Sequence, residues 1–280
     1  MLKLLERNIA SVEQRLVLLA PPQATIHPTF RRVEVDPYRH GEMIREVQRL
    51  RGGIYFRDGA IDQQQLSAGG LHQTPEDERS WHLVMTNKAG HITACVWYLE
   101  HDSITSIDRL RVRSCPLTHQ DAWRDTLRKA VENELAQARR HHLRYAEVGG
   151  WAVSEECRCK SEGLLLALAA YSLGRIAGGA LGMTTATVRH SSSTILRRLG
   201  GAHLQADGVE VPPYYDPRYK CEMELLRFDS RRPNAKYSAV IDLLRQKLAT
   251  VRVVAASATA LAEDSFEFDG DTVQAQPSAA

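Results

Sequence analysis

The residues with the clearest chemical potential lie between Tyr145 and Gly163, where an extended segment, a short basic loop and the start of an apolar helix follow one another. Arg158-Cys159-Lys160-Ser161-Glu162-Gly163 puts two cations, a small hydroxyl residue and a glycine at the first turn of that helix. Unpaired amides in such a turn point outward and the helix dipole favours negative charge. A phosphate or pyrophosphate therefore fits there, with Arg158 and Lys160 closing over its oxygens. A plain helix start with solvated cations has the same composition, and the residues alone leave both readings open. Cys157 and Cys159 near His141-His142 raise the question of zinc, but their step of two is not the usual Cys-x2-Cys spacing and no second pair exists, so no metal is expected. Gly178-Gly179-Ala180-Leu181-Gly182 follows a helical pattern, whereas a dinucleotide loop follows a strand. A cysteine nucleophile with a histidine base would meet only in space, and nothing selects one cysteine over another.

The elements that must position this segment can be read from periodicity. Leu2, Leu5, Ile9, Val12, Leu16 and Leu19 line one face of a helix that Pro21-Pro22 stops, and residues 1–25 are expected as an N-terminal amphipathic helix. It either lies on the domain or serves as a dimerisation or partner helix, which leaves a homodimer open. Arg32 to Val35 alternates as a strand, and Asp36-Pro37 starts a helix carrying Met43, Val47 and Leu50. Residues 57–79 show no period and read as a long loop, a binding loop or a mobile lid. Trp81 to Thr86 and Ile92 to Leu99 flank the turn Asn87-Lys88-Ala89-Gly90 as antiparallel strands. A helix is expected over about 120–140, then a strand from Arg144 to Val153 whose Gly149-Gly150 marks a bulge or a close approach to the backbone. A buried helix from Ser161 to Arg175, a strand from Met183 to Arg189 and a short helix from Ser191 to Leu199 follow. Two closing strands, 202–205 and 219–228, and a helix over 235–248 complete the domain, placed at 26–254. Residues 255–280, rich in Ala, Ser, Thr and acids, are expected as a disordered acidic tail.

Composition narrows the class. With 280 residues, 43% apolar and 25% charged, the chain can bury a substantial core. Five of its acids lie beyond Arg252, the last basic residue, so the first 252 residues carry 36 basic against 29 acidic side chains. That excess is spread along the chain. It suits an anionic partner of modest size, and no nucleic-acid partner is expected. Five scattered cysteines without a secretory leader point to free thiols and a cytoplasmic location. The apolar stretch from Gly163 to Met183 contains Arg175 and five glycines and reads as a buried helix and turn, so no stable membrane insertion is expected.

The order of these elements resembles the GNAT acyltransferase superfamily. Its phosphate-cradling motif is Gln or Arg, two residues, Gly or a small residue, one residue, then Gly or Ala; Arg158, Ser161 and Gly163 occupy those places. The likeness is closest to the branch of N-acyl amino acid synthases and acyl-homoserine-lactone (autoinducer) synthases. Leu50-Arg51-Gly52-Gly53-Ile54-Tyr55-Phe56 looks like that branch's entry to its acceptor loop, His82-Leu83-Val84 like its second strand, and Glu147, Val153 and Arg158 match its spacing on and after the fourth strand. Together these cover about residues 30–250.

The resemblance implies an α/β fold with a mostly antiparallel twisted sheet split at strands 4 and 5 and helices on both faces. It implies transfer of an acyl group from the phosphopantetheine thioester of acyl-CoA or an acyl carrier protein to an amine, an amino acid or similar small molecule. The donor site it implies is Trp151, Ala152, Val153, Arg158, Cys159, Lys160, Ser161, Glu162 and Gly163, with Ser191 and Ser192. Glu147 would be the general base, since a protonated amine must lose a proton to attack. Many members place a tyrosine acid on the helix after the fifth strand; that helix has none here, and a serine, Tyr214 or Tyr215 takes its place, with Tyr215 the candidate. Arg51, Tyr55 and Trp97 are expected at the acceptor. Trp97 and Gly150 stand where the autoinducer synthases place arginines, which weighs against S-adenosylmethionine as acceptor. The pairs Arg139-Arg140, Arg197-Arg198 and Arg231-Arg232 would suit an acidic carrier protein. A non-catalytic acyl-thioester-binding protein would keep the same fold.

Overall fold

The computed structural model describes Leu5, Ile9 and residues 12–102, 104–158 and 160–257. Its strands are β1 (Leu16–Leu19), β2 (Val33–Val35), β3 (Trp81–Thr86), β4 (Ile92–His101), β5 (Arg144–Val153), β6 (Ala180–Thr187), β7 (Ala202–His203), β8 (Gln205–Ala206), β9 (Val209–Glu210), β10 (Tyr214–Asp216), β11 (Cys221–Asp229) and β12 (Arg252–Ala255). The helices are α1 (Val12–Arg15), α2 (Pro37–Arg57), α3 (Arg124–Arg140), α4 (Glu162–Ile176), α5 (Ser192–Leu199) and α6 (Ser238–Leu248).

Ten strands join in one sheet of order β10-β11-β6-β5-β4-β3-β1-β12-β2, with β7 alongside β11; β8 and β9 pair separately. The pairs β5–β6, β1–β12 and β12–β2 are parallel and the others antiparallel. This is the mostly antiparallel α/β arrangement expected, with helices on both faces. On one face α4 and α6 bring Leu165, Leu168, Ile241 and Leu244 against Leu18, Leu83, Val96 and Ala146. On the other, α2 sets Met43 and Val47 on Val17, Val84 and Val254, while α3 sets Leu127, Val131 and Leu135 beside Tyr145, Leu181 and Met183. Asp36 starts α2 as its composition suggests, its side chain accepting from the Arg39 amide at 2.9 Å with Pro37 in the first position.

Two ends differ from expectation. Leu16–Leu19 is not the close of a helix but strand β1, inside the main sheet and buried on both faces. Its run of apolar residues satisfies a helical period and a doubly buried strand equally, so spacing could not separate them. Leu5, Ile9 and Val12 do share one core, as their period requires. At the other end β12 was not foreseen; it lies between β1 and β2, and its partners are far away in sequence. The strand expected at 183–189 is shifted to 180–187, because Ala180 and Leu181 enter the ladder beside Arg144 and Tyr145. Residues 258–280, most of the tail, lie outside the described residues.

Because Leu18 is wholly buried between layers, Leu18→Ala should lower the unfolding free energy by about 2–5 kcal/mol, read from urea denaturation. A residue on a loosely docked extension would give a far smaller change.

Candidate active site

The site begins with a parting of strands. β5 and β6 pair from Arg144–Ala180 to Val148–Thr184, after which β5 runs on to Val153 and β6 to Thr187 without a common register. Just past that point β5 bulges against β4: three steps, Gly149 to Ala152, oppose the two from Trp97 to Cys95. Gly150 has φ +64, and a β-carbon at either Gly149 or Gly150 would overlap the Trp97 indole. The two glycines thus do both things their type suggested, bulging the strand and admitting a close neighbour.

A cleft of about 890 Å³ occupies the gap. One part is apolar, between α4 and α5, with Val148, Ala167, Tyr171, Ile195, Leu199 and Phe228 on its walls. A second lies against the basic loop and is lined by Trp151, Ala152, Val153, Arg158, Lys160, Gly163 and Ser192. The third, on the opposite face of the sheet, is lined by Tyr55, Trp97, Arg111, Glu147, Tyr214 and Tyr219. Tyr55 donates to the Trp151 carbonyl at 3.4 Å, and burial, with Tyr219 beside it, pushes its phenol well up. The Arg111 guanidinium lies 5.2 Å from the centre of the Trp97 ring.

Glu147 is buried where the cleft meets a second recess, and it lines both. His101 Nε2 lies 2.9 Å from Oε2, and the Arg111 amide donates to Oε1 at 2.9 Å and to Oε2 at 3.1 Å. Arg144, at the start of the same strand, pairs with Glu100. The arrangement holds a carboxylate in one orientation by hydrogen bonds, at the point where the strands separate.

Several residues expected at the site lie elsewhere. Arg51 is 1% exposed and does not line the cleft. It donates to both Asp77 oxygens, at 2.9 and 2.7 Å, to His72 Nδ1 at 3.1 Å and to the His72 carbonyl. It therefore ties α2 to the segment 72–77 and lies behind Gly150. Tyr215 points outward, 58% exposed, because alternation on β10 turns Tyr214 inward. Glu162 pairs with Arg15 at 3.0 Å, away from the cleft. Ser161 and Ser191 do not line it, and neither caps its helix through its side chain. Cys159 lies outside the described residues. Arg158 does reach the cleft, and it also bridges to Asp58 at 2.7 and 2.8 Å, closing the loop onto the end of α2.

Sequence reading missed His101, Arg111 and Asp77. Arg111 sits in a run of short turns with no period, and Asp77 in what read as a free loop; neither carries a local signal. Gly52 does leave one, since a β-carbon there would press on the Gly70 carbonyl, so the loop can pack directly on α2. Among the described residues no group of side chains is arranged to hold a metal ion, and no helix is long and apolar enough to cross a membrane.

No protein-family profile and no curated sequence matches the chain. Solved structures do. The CoA-dependent acyl-homoserine lactone synthase BjaI, bound to SAM and isopentyl-CoA, superposes with a TM-score of 0.54 at 12% identity, over 86% of this chain and 92% of BjaI. The same protein with MTA gives 0.53 over the same shares and at the same identity. FeeM, an N-acyl amino acid synthase from uncultured soil microbes, gives 0.43 at 14% identity, over 71% of this chain and 89% of FeeM. The chain thus has the fold of BjaI, as the resemblance implied.

Two outcomes follow from this geometry. Gly150→Ala places a side chain on a left-handed residue and against the indole. It should cost roughly 1–3 kcal/mol in chemical denaturation and alter the near-UV circular dichroism of Trp97. The second concerns pH. Burial, and for His72 also the Arg51 charge, pushes His72 and His82 down to about 4, from 6.5. Burial would raise the Asp77 carboxyl, but its bonds to Arg51 outweigh that and hold it below its usual range. Folded-state values depressed in this way mean that the unfolded chain binds more protons between pH 6.5 and 4. Stability, complete above that window, should fall as pH drops through it, and denaturation midpoints at stepped pH would show this. The Asp77 contribution should be lost at still lower pH.

Proposed function

We propose that the chain is an N-acyltransferase that moves an acyl group from a phosphopantetheine thioester to the amine of an amino acid or similar small molecule. The observation that carries this reading is Glu147, a buried carboxylate held by two donors beside the gap between β5 and β6. A cleft of matching character runs from it to a cationic helix start. The donor's phosphates lie against Arg158, Lys160 and the first turn of α4, its arm passes Trp151 to Val153, and its acyl chain enters the apolar wall between α4 and α5. The acceptor occupies the part lined by Tyr55 and Trp97.

In this reading Glu147 takes a proton from the ammonium group, directly or through water. The amine nitrogen then bonds to the thioester carbonyl carbon, whose oxygen gains charge near the amides of the β5 bulge. The C–S bond breaks, the thiolate departs with the electron pair, and the second proton of the nitrogen passes to that sulfur, directly or through water, so that the amide and a free thiol form. Tyr214, which faces inward and lines the cleft while Tyr215 faces solvent, is the tyrosine that this strand offers to the chemistry.

Trp97 and Gly150 weigh against a homoserine-lactone product. The two positions are in contact, and the indole fills the space over the glycine where two arginines would stand in the autoinducer synthases. Arg111 supplies a cation there from another segment, already paired with Glu76. Whether the donor is acyl-CoA or an acylated carrier protein is decided by titrating desulfo coenzyme A and the acylated carrier separately.

Incubation with acyl thioesters and a pool of amines, followed by mass spectrometry, should yield an N-acyl amide and free thiol. Glu147→Gln should lower kcat/KM by about 10²- to 10⁴-fold. Unchanged turnover in that variant removes Glu147 as the base. Ligand binding without product from any amine favours a non-catalytic binding protein.

A further inference from the structure

His101 closes β4 on the side of Glu147 away from the acyl cleft. It is buried, its Nε2 lies 2.9 Å from Glu147 Oε2, and it lines a recess of about 550 Å³ that meets the main cleft at Glu147 and Arg111. We propose that His101 is a positioning residue for acyl transfer, its Nε2–H holding the Glu147 carboxylate at the cleft wall; this rests on the role of Glu147 given above.

The chemistry of the pair sets the tautomer. An ionised carboxylate only accepts, so the bond to Oε2 requires the proton on Nε2. Nδ1 makes no hydrogen bond among the described residues, and the buried Thr105 hydroxyl, which lines the same recess, also has none. The recess wall carries Arg79, Arg109, Arg111 and Arg113 against Glu76, Glu100, Asp102, Asp108 and Glu147 itself.

The imidazole places a single donor, Nε2, on one carboxylate oxygen. With the Arg111 amide on the other side, the carboxylate has little freedom left, and misplacement of a base by a fraction of an ångström is costly.

The experiment compares His101→Leu with His101→Gln in the full chain. Glutamine places an amide N–H near the position of Nε2, and leucine keeps bulk without a donor. His101→Leu should lower kcat about 10- to 100-fold with the KM of donor and acceptor little changed, and His101→Gln should recover most of the loss. Full kcat in His101→Leu overturns the inference. So does an equal loss in both variants accompanied by raised KM, which marks a merely structural role. Long-range ¹⁵N–¹H NMR of the unsubstituted chain reads the tautomer without turnover. Nε2–H supports the proposal and Nδ1–H overturns it. Absence of turnover in the unsubstituted chain would count against the acyltransferase reading, while the tautomer would still decide whether His101 holds the carboxylate.

Discussion

The seating of one indole on two glycines organises this molecule. Trp97 on β4 can lie flat against β5 only because Gly149 and Gly150 have no side chains there, and only because Gly150 adopts a left-handed conformation that bulges the strand. The bulge turns the end of β5 away from the course it shared with β6, and the two strands part after Val148. Everything that can bind in the cleft depends on that parting, since a continuous ladder would leave no gap between the strands.

A second constraint stands behind the first. Arg51, enclosed in the fold, is neutralised by a bidentate bond to Asp77, whose remaining capacity is used by Gln48 and the Thr74 amide. A buried pair of this kind contributes modestly to stability as a pair, but removing one partner leaves an uncompensated charge and costs about 3–5 kcal/mol. Its effect is therefore to fix geometry. It fastens the loop after α2 to the helix beside Gly150, and so places Tyr55, whose hydroxyl lies 3.4 Å from the Trp151 carbonyl, on one wall of the cleft. Arg158 repeats the device at the surface, joining the basic loop to Asp58 at the end of the same helix.

The division of the cleft follows from which side of the sheet each residue faces. Val148 packs toward α4, and Glu147, its neighbour, toward the opposite face. The alternation that sends Tyr214 inward sends Tyr215 out. A one-residue difference in register thus separates a group in the cleft from one in solvent, a choice that residue type alone does not make.

The carboxylate on β5 was marked only by the family resemblance. The order of strands and helices, the cap at Asp36 and the glycine bulge were legible in the chain, because each depends on local geometry or on a period that near neighbours impose. Leu16–Leu19 and Arg252–Ala255 were not, since an apolar run becomes strand or helix according to the partners it finds, and these two find each other across the length of the protein. The same limit governs the site. Arg158, Lys160 and Gly163 could be placed together from their adjacency, whereas His101 and Arg111 reach Glu147 from separate segments, and Asp77 reaches Arg51 through a loop without pattern. Adjacent residues share a conformation that the backbone dictates; distant ones are joined only by packing and pairing, which exist once the chain has closed on itself.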